Sequence, residues 1–149
     1  MIELGAANVA AYLRERGVVP TGVEPDAEEL GWGISNVVLK VSWPGNCVVV
    51  KQSLAELRVG DEWPFDRSRI VGERDCMEHL GRLLPAGSVP RVRFSDEESF
   101  VLAMSCAPAG GILWKEALLE GQIEPRAGWI TETVTRALIF LLEQPRQLR

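Results

Sequence analysis

Two runs of branched apolar residues, Val37-Val38-Leu39 with Val41 and Cys47-Val48-Val49-Val50, stand on either side of Pro44-Gly45-Asn46. β-Branched side chains favour extended backbone and Pro-Gly-Asn is turn chemistry, so this stretch predicts an antiparallel hairpin. A glycine loop, Gly31-Trp32-Gly33-Ile34-Ser35-Asn36, leads into it, and an earlier strand is expected to end near Leu30.

The flanking segments predict helices and two more strands. Residues 6–16 carry Val9, Tyr12 and Leu13 at helical spacing, with Gly17 as a stop. Residues 53–66 are polar and irregular. Residues 66–84 place Ile70, Met77, Leu80 and Leu83-Leu84 in one stripe, with Asp66 as N-cap and Pro85-Ala86-Gly87 as terminator. Strands fit 89–94 and 100–104, joined by the acidic turn Ser95-Asp96-Glu97-Glu98. A short helix over 113–119 and a longer one over 127–143 follow. The order predicts an α+β fold with an antiparallel sheet.

Composition narrows the function classes. With 149 residues, 46% of them hydrophobic, the chain can bury the core of one domain. A formal net charge of -5 argues against a general nucleic-acid or anionic-membrane binder. The arginines of the predicted helices alternate with Glu and Asp, which reads as solvated faces rather than a basic patch. No apolar run approaches the ~18 residues of a membrane span, and Met1-Ile2-Glu3-Leu4 does not read as a signal peptide, so a cytoplasmic location is expected. The cysteines, Cys47, Cys76 and Cys106, are odd in number, far apart and without a CxxC pair, which argues against a disulfide framework or a zinc site. The single histidine, His79, reads as a surface residue of an amphipathic helix.

The glycine loop lies between two strands. That position disfavours a dinucleotide fingerprint, whose pyrophosphate sits at a helix N-terminus, and favours a flap over phosphates. Taken alone, the loop reads more readily as a glycine-rich β-turn. Lys51 sharpens it: a cation ending the apolar strand Val48-Val49-Val50 stands where nucleoside triphosphate oxygens need one. A carboxylate from the following helix would hold it, with Glu73 the candidate and Glu78 a competing partner.

With these residues in place, the chain resembles the N-terminal half of the aminoglycoside phosphotransferase and choline kinase superfamily, close to its methylthioribose-kinase-like branch. The stretches that carry the resemblance are NVAAYLRERG (8–17), ELGWGISNVVLKV (29–41), VVVKQ (48–52), LRVGDEWPFDRSRIVGE (57–73), VPRV (89–92) and FVLAMSCAPAGG (100–111). It implies a kinase-like N-terminal lobe over 1–104, with about five antiparallel strands and one packed helix. A hinge over 105–112 and the helical start of an incomplete C-terminal lobe over 113–149 would follow. By resemblance, Gly31, Gly33, Ser35 and Asn36 would cover the phosphates of ATP, Lys51 would reach their oxygens, and Glu73 would pair with Lys51. Met104 would sit behind the adenine, and Ser105 and Ala107 would offer backbone C=O and N–H to its edge. Trp32 departs from the family pattern, which often has a second glycine there.

Phosphoryl transfer also needs a carboxylate for the acceptor hydroxyl and ligands for Mg2+. The resemblance places these in a later His-Gly-Asp-type loop, yet no Asp follows Asp96 and no Asn follows Asn46. The expectation is an ATP-binding portion that is inactive alone and takes Mg2+ only with a complementary C-terminal lobe. The alternative is a non-catalytic module used for oligomerisation or partner binding. Residues 137–142 (ALIFLL) are apolar at consecutive positions, hence on every side of a helix. Burial in a homo-oligomer, or against a separately encoded C-terminal half, is expected.

Overall fold

The computed structural model describes residues 2–31, 34–58, 64, 66–108, 110–111 and 114–122. Its elements are α1 (Val9–Glu15), β1 (Asp26–Glu29), β2 (Asn36–Trp43), β3 (Asn46–Ser53), α2 (Arg69–Leu83), β4 (Val92–Asp96), β5 (Val101–Ser105) and α3 (Trp114–Leu119). The strands form one antiparallel sheet in the order β1-β2-β3-β5-β4, so the chain is α+β. The helix expected over 127–143, with its apolar run, lies outside the described residues.

The hairpin fixes the centre of the sheet. Trp43 pairs with Asn46 across Pro44-Gly45, and Gly45 takes a positive φ of 75°, a backbone state that glycine adopts without a Cβ clash. Alternation along β3 then sends Val48, Val50 and Gln52 to one face and Val49 and Lys51 to the other. Cross-strand partners share these faces: Val50 lies between Leu39 and Ala103, and Lys51 between Val38 and Leu102.

Each face is covered by a different helix. On the Val50 side, Val9 and Leu13 of α1 pack with Leu39, Val41 and Ala103. On the Lys51 side, Ile70 of α2 packs with Leu102 and Met104. At about 25 cal/mol per Å2 of apolar surface, burying such side chains on both faces is the main term holding the sheet between its helices.

A register shift in β4 between Val92 and Phe94 alters which face its residues serve. Val92, opposite Met104, joins the α2 side, whereas Phe94, opposite Ala103, joins the α1 side. An extra residue at a bulge reverses the alternation in this way. Asp96 consequently reaches α1, where its Oδ2 accepts a hydrogen bond from Tyr12 Oη at 2.7 Å and an ion pair from Arg16 at 3.0 Å. The Arg16 guanidinium also lies 3.7 Å from the centre of the Tyr12 ring. These contacts draw Asp96 into the strand, so β4 runs into the stretch expected to be an acidic turn.

Gln52 is almost fully buried on the α1 side and ties down the N-terminal segment. Its Oε1 accepts from the Leu4 N–H at 2.7 Å, and its Nε2 donates to the carbonyls of Ile2 at 3.0 Å and Ser99 at 3.2 Å.

Two further sequence expectations need correction. The helix expected to begin at Asp66 begins at Arg69: Asp66 Oδ1 accepts from the Ser68 N–H at 2.9 Å, closing a turn just ahead of the helix. The larger correction concerns the cysteines. Cys47 and Cys106 are joined as a disulfide, with Cα atoms 5.8 Å apart, and Cys76 is free. Separation in sequence was a poor guide here, because β3 and β5 are hydrogen-bonded neighbours. Their last pair is Val48 with Ser105, and one step further sets 47 beside 106.

Candidate functional site

β3 and α2 bring Lys51 and Glu73 together. Lys51 Nζ donates to Glu73 Oε1 at 2.5 Å and to Oε2 at 2.7 Å. The reason is local on both sides. Lys51 points to the α2 face because Val50 and Gln52, its neighbours in β3, point to the other. Glu73 lies one turn after Ile70, the helix residue that anchors α2 against Leu102 and Met104, and residues at that spacing share a helix face. The pair is partly open to solvent, with the lysine side chain 21% exposed and the glutamate 34%. It is therefore available to a ligand rather than sealed in the core. The competing carboxylate, Glu78, is exposed one turn and more further along the helix, and the Lys51 ammonium bonds Glu73.

Met104 is buried beside Leu102 on the same sheet face as Lys51 and is the cross-strand partner of Val49. After it, Ser105 is anchored twice to Arg91. The Ser105 N–H donates to the Arg91 carbonyl at 2.9 Å, and the Arg91 N–H donates to Ser105 Oγ at 3.0 Å. Ala107 is exposed, two residues beyond.

The loop before β2 is fixed at its C-terminal end. Ser35 O accepts from the Leu54 N–H at 3.0 Å, Ile34 O accepts from the Arg58 N–H at 2.7 Å, and Asn36 Nδ2 donates to Ser35 Oγ at 3.1 Å. Asn36 has the same strand parity as Val38, the partner of Lys51, so the pleat places it on the lysine's side of the sheet. Gly31 is exposed just past β1, while Trp32 and Gly33 lie outside the described residues.

Two residues that sequence reasoning passed over share this face. Val38 lies opposite Lys51 in β2, and Val49 precedes Lys51 by one full alternation in β3. Both are half-buried, so they present apolar surface beside the ammonium. The signal was available: counting back by two from Lys51 gives Val49, and hairpin register gives Val38. Chemically, the arrangement offers a fixed cation on an apolar sheet face, with exposed Ala107 two residues past the end of β5. Among the described residues no group of three or more His, Cys, Asp or Glu side chains is placed to hold a metal ion. Nor is any helix among them long and apolar enough to cross a membrane.

Against known proteins, no family profile matches the chain. Over 99 residues it is 33% identical to a methylthioribose kinase of Escherichia coli. The matched stretch is 66% of this chain and 23% of that protein, so the chain spans less than a quarter of the relative's length.

Proposed function

We propose that this chain is the ATP-holding N-terminal portion of a small-molecule kinase of the methylthioribose-kinase kind. The observation that carries the reading is the Lys51–Glu73 ion pair, set on the same sheet face as Val38, Val49 and Met104. Partial similarity to methylthioribose kinase supports it independently.

In this reading the adenine lies against Val38, Val49 and Met104, and its edge meets the main chain at Ser105 and Ala107. Gly31, Gly33, Ser35 and Asn36 form the flap over the phosphates. Lys51 presents its ammonium to phosphate oxygens, and Glu73 holds that ammonium in place, so no reorganisation is needed when the nucleotide arrives. The residues fit a nucleotide because the cation is half-open, paired on one side only by its carboxylate, and flanked by apolar surface. ATP supplies the transferable phosphoryl group. The described residues assemble no Mg2+ ligand set. The acceptor hydroxyl and the group that orients it belong to the part of such a kinase beyond these elements.

The test is thermal unfolding with and without millimolar MgATP. A ligand that binds only the folded chain stabilises it by RT ln(1 + [L]/Kd), about 2.7 kcal/mol at a hundredfold excess over Kd. The expected result is a rise in melting temperature that Lys51→Ala removes. An unchanged melting temperature would favour the non-catalytic module instead.

A further inference from the structure

The three cysteines occupy different surroundings. Cys47 is the second residue of β3 and Cys106 the first residue past β5, and each is half-buried, so a small thiol can reach them. Their Cα separation of 5.8 Å falls in the usual range for a disulfide. Cys76, in α2, is free.

The position of the crosslink is informative. The β3–β5 ladder ends with Val48 opposite Ser105, so Cys106 is the first residue the ladder does not hold. Ser105 is anchored to Arg91 by main-chain and hydroxyl hydrogen bonds that do not depend on sulfur. Beyond it, the disulfide ties residue 106 to the start of β3.

We propose that Cys47 and Cys106 form a reversible thiol–disulfide latch on the segment that leaves β5. Oxidised, the latch fixes residues 106–108 against the β2–β3 hairpin; reduced, it lets them move while Ser105 stays anchored to Arg91. Its effect on nucleotide rests on the phosphotransferase reading, in which Ser105 and Ala107 on either side of Cys106 meet the adenine edge. The oxidant is a low-molecular-weight disulfide such as glutathione disulfide. The thiolate of one cysteine attacks it, forming a mixed disulfide and releasing one glutathione thiolate. The second cysteine thiolate then attacks the protein sulfur of the mixed disulfide and expels the second glutathione. Two protein thiols become one disulfide, two electrons pass to glutathione disulfide, and two glutathione thiols carry away the protons.

The experiment equilibrates the full chain in glutathione buffers from fully reduced to fully oxidised, quenches in acid, labels free thiols with N-ethylmaleimide and maps them by mass spectrometry. At the reduced end, label is expected on Cys47, Cys76 and Cys106. At the oxidised end it is expected on Cys76 alone, with a Cys47–Cys106 crosslinked peptide that disappears on return to reducing buffer. Amide hydrogen exchange at Cys106 and Ala107 should be slower by about tenfold in the oxidised form. Cys47→Ser, checked for folding by circular dichroism, should give no crosslinked peptide at any ratio, Cys106 being recovered as the free thiol or as its glutathione mixed disulfide. Full labelling at every ratio, glutathione adducts without the crosslink, or a crosslink that leaves exchange unchanged would each overturn the latch. ATP titrations of the two forms separate the two claims. A change in affinity of about fivefold or more supports the coupling, and equal affinities overturn it. Binding to neither form removes the phosphotransferase reading while the thiol mapping still upholds the latch.

Discussion

Lys51 Nζ lies within hydrogen-bond distance of both carboxylate oxygens of Glu73, so a single ammonium spans the gap between the central strand β3 and the helix α2. Because both side chains remain partly in water, their attraction is screened and contributes little to folding, of the order of 1 kcal/mol or less. Glu73→Gln should therefore leave the urea midpoint of the ligand-free chain nearly unchanged. Under the proposed function it should weaken ATP binding by about tenfold, because the lysine loses the carboxylate that holds it. Calorimetric titration of the variant and the parent chain, beside urea unfolding of both, separates the two effects.

Val38 lies across the hairpin from Lys51 and presents half-buried apolar surface. Val38→Asp would put a carboxylate next to the ammonium, where it competes for the cation and repels phosphate. ATP affinity is expected to fall by about tenfold or more, against a loss of stability of roughly 1–3 kcal/mol. Val38→Thr, similar in shape and uncharged, should keep most of the affinity. Equal affinities for the aspartate variant and the parent would remove Val38 from the site.

The clasp between α1 and β4 sets an acid limit on stability. Burial pushes the Asp96 carboxyl up, but hydrogen bonds from Tyr12, from the Ser99 N–H and hydroxyl, and from Arg16 outweigh it and bring the pKa down to about 2. Burial, followed by the hydrogen bond to Asp96, raises the Tyr12 phenol above its ordinary value, so Tyr12 remains a neutral donor. A carboxylate with a depressed folded pKa stabilises the fold above its unfolded pKa of about 4, and the contribution is lost as pH falls towards 2. At 1.36 kcal/mol per pKa unit the stake is about 2 kcal/mol. Urea unfolding at pH 7 and pH 3 should show Asp96→Asn costing more at the higher pH; an equal cost at both would contradict the clasp.

Gln52 satisfies three backbone groups from a nearly solvent-free position. Gln52→Leu keeps much of the volume but strands the Leu4 N–H and the Ile2 and Ser99 carbonyls. A loss of about 1–3 kcal/mol is expected, with faster amide exchange at Leu4. Exchange at Leu4 that is as slow as in the parent chain would show that the N-terminal segment is held by other means.

How far the sequence could be read depended on whether the determining contacts were local. The β2–β3 hairpin was plain from its own turn and branched residues, and α2 from its apolar stripe. β1, whose residues Asp26-Ala27-Glu28-Glu29 are mostly exposed at the sheet edge, has no apolar alternation and was inferred only by position. The seating of Asp96 against Tyr12 and Arg16 joins residues some eighty positions apart, and neither it nor the bulge in β4 that makes it possible is encoded in a local pattern. The Cys47–Cys106 pairing failed for the same reason: a count of cysteines carries no information about which strands become neighbours. At the candidate site, Lys51 stood out because charge after an apolar run in a strand is conspicuous, and Glu73 followed as the helix carboxylate to hold it, with Glu78 as a competitor that only the structure separates. Val38 and Val49 did not, since valine is unremarkable until strand register shows which face it serves.

The most direct test of the central claim uses an ATP analogue carrying an acyl phosphate, which acylates a lysine held beside the phosphates. The chain has three lysines, Lys40, Lys51 and Lys115, so mapping the modified residue by mass spectrometry is unambiguous. The account expects modification at Lys51, suppressed by excess ATP and lost in Lys51→Ala. Equal modification of all three lysines, unaffected by ATP, would contradict it.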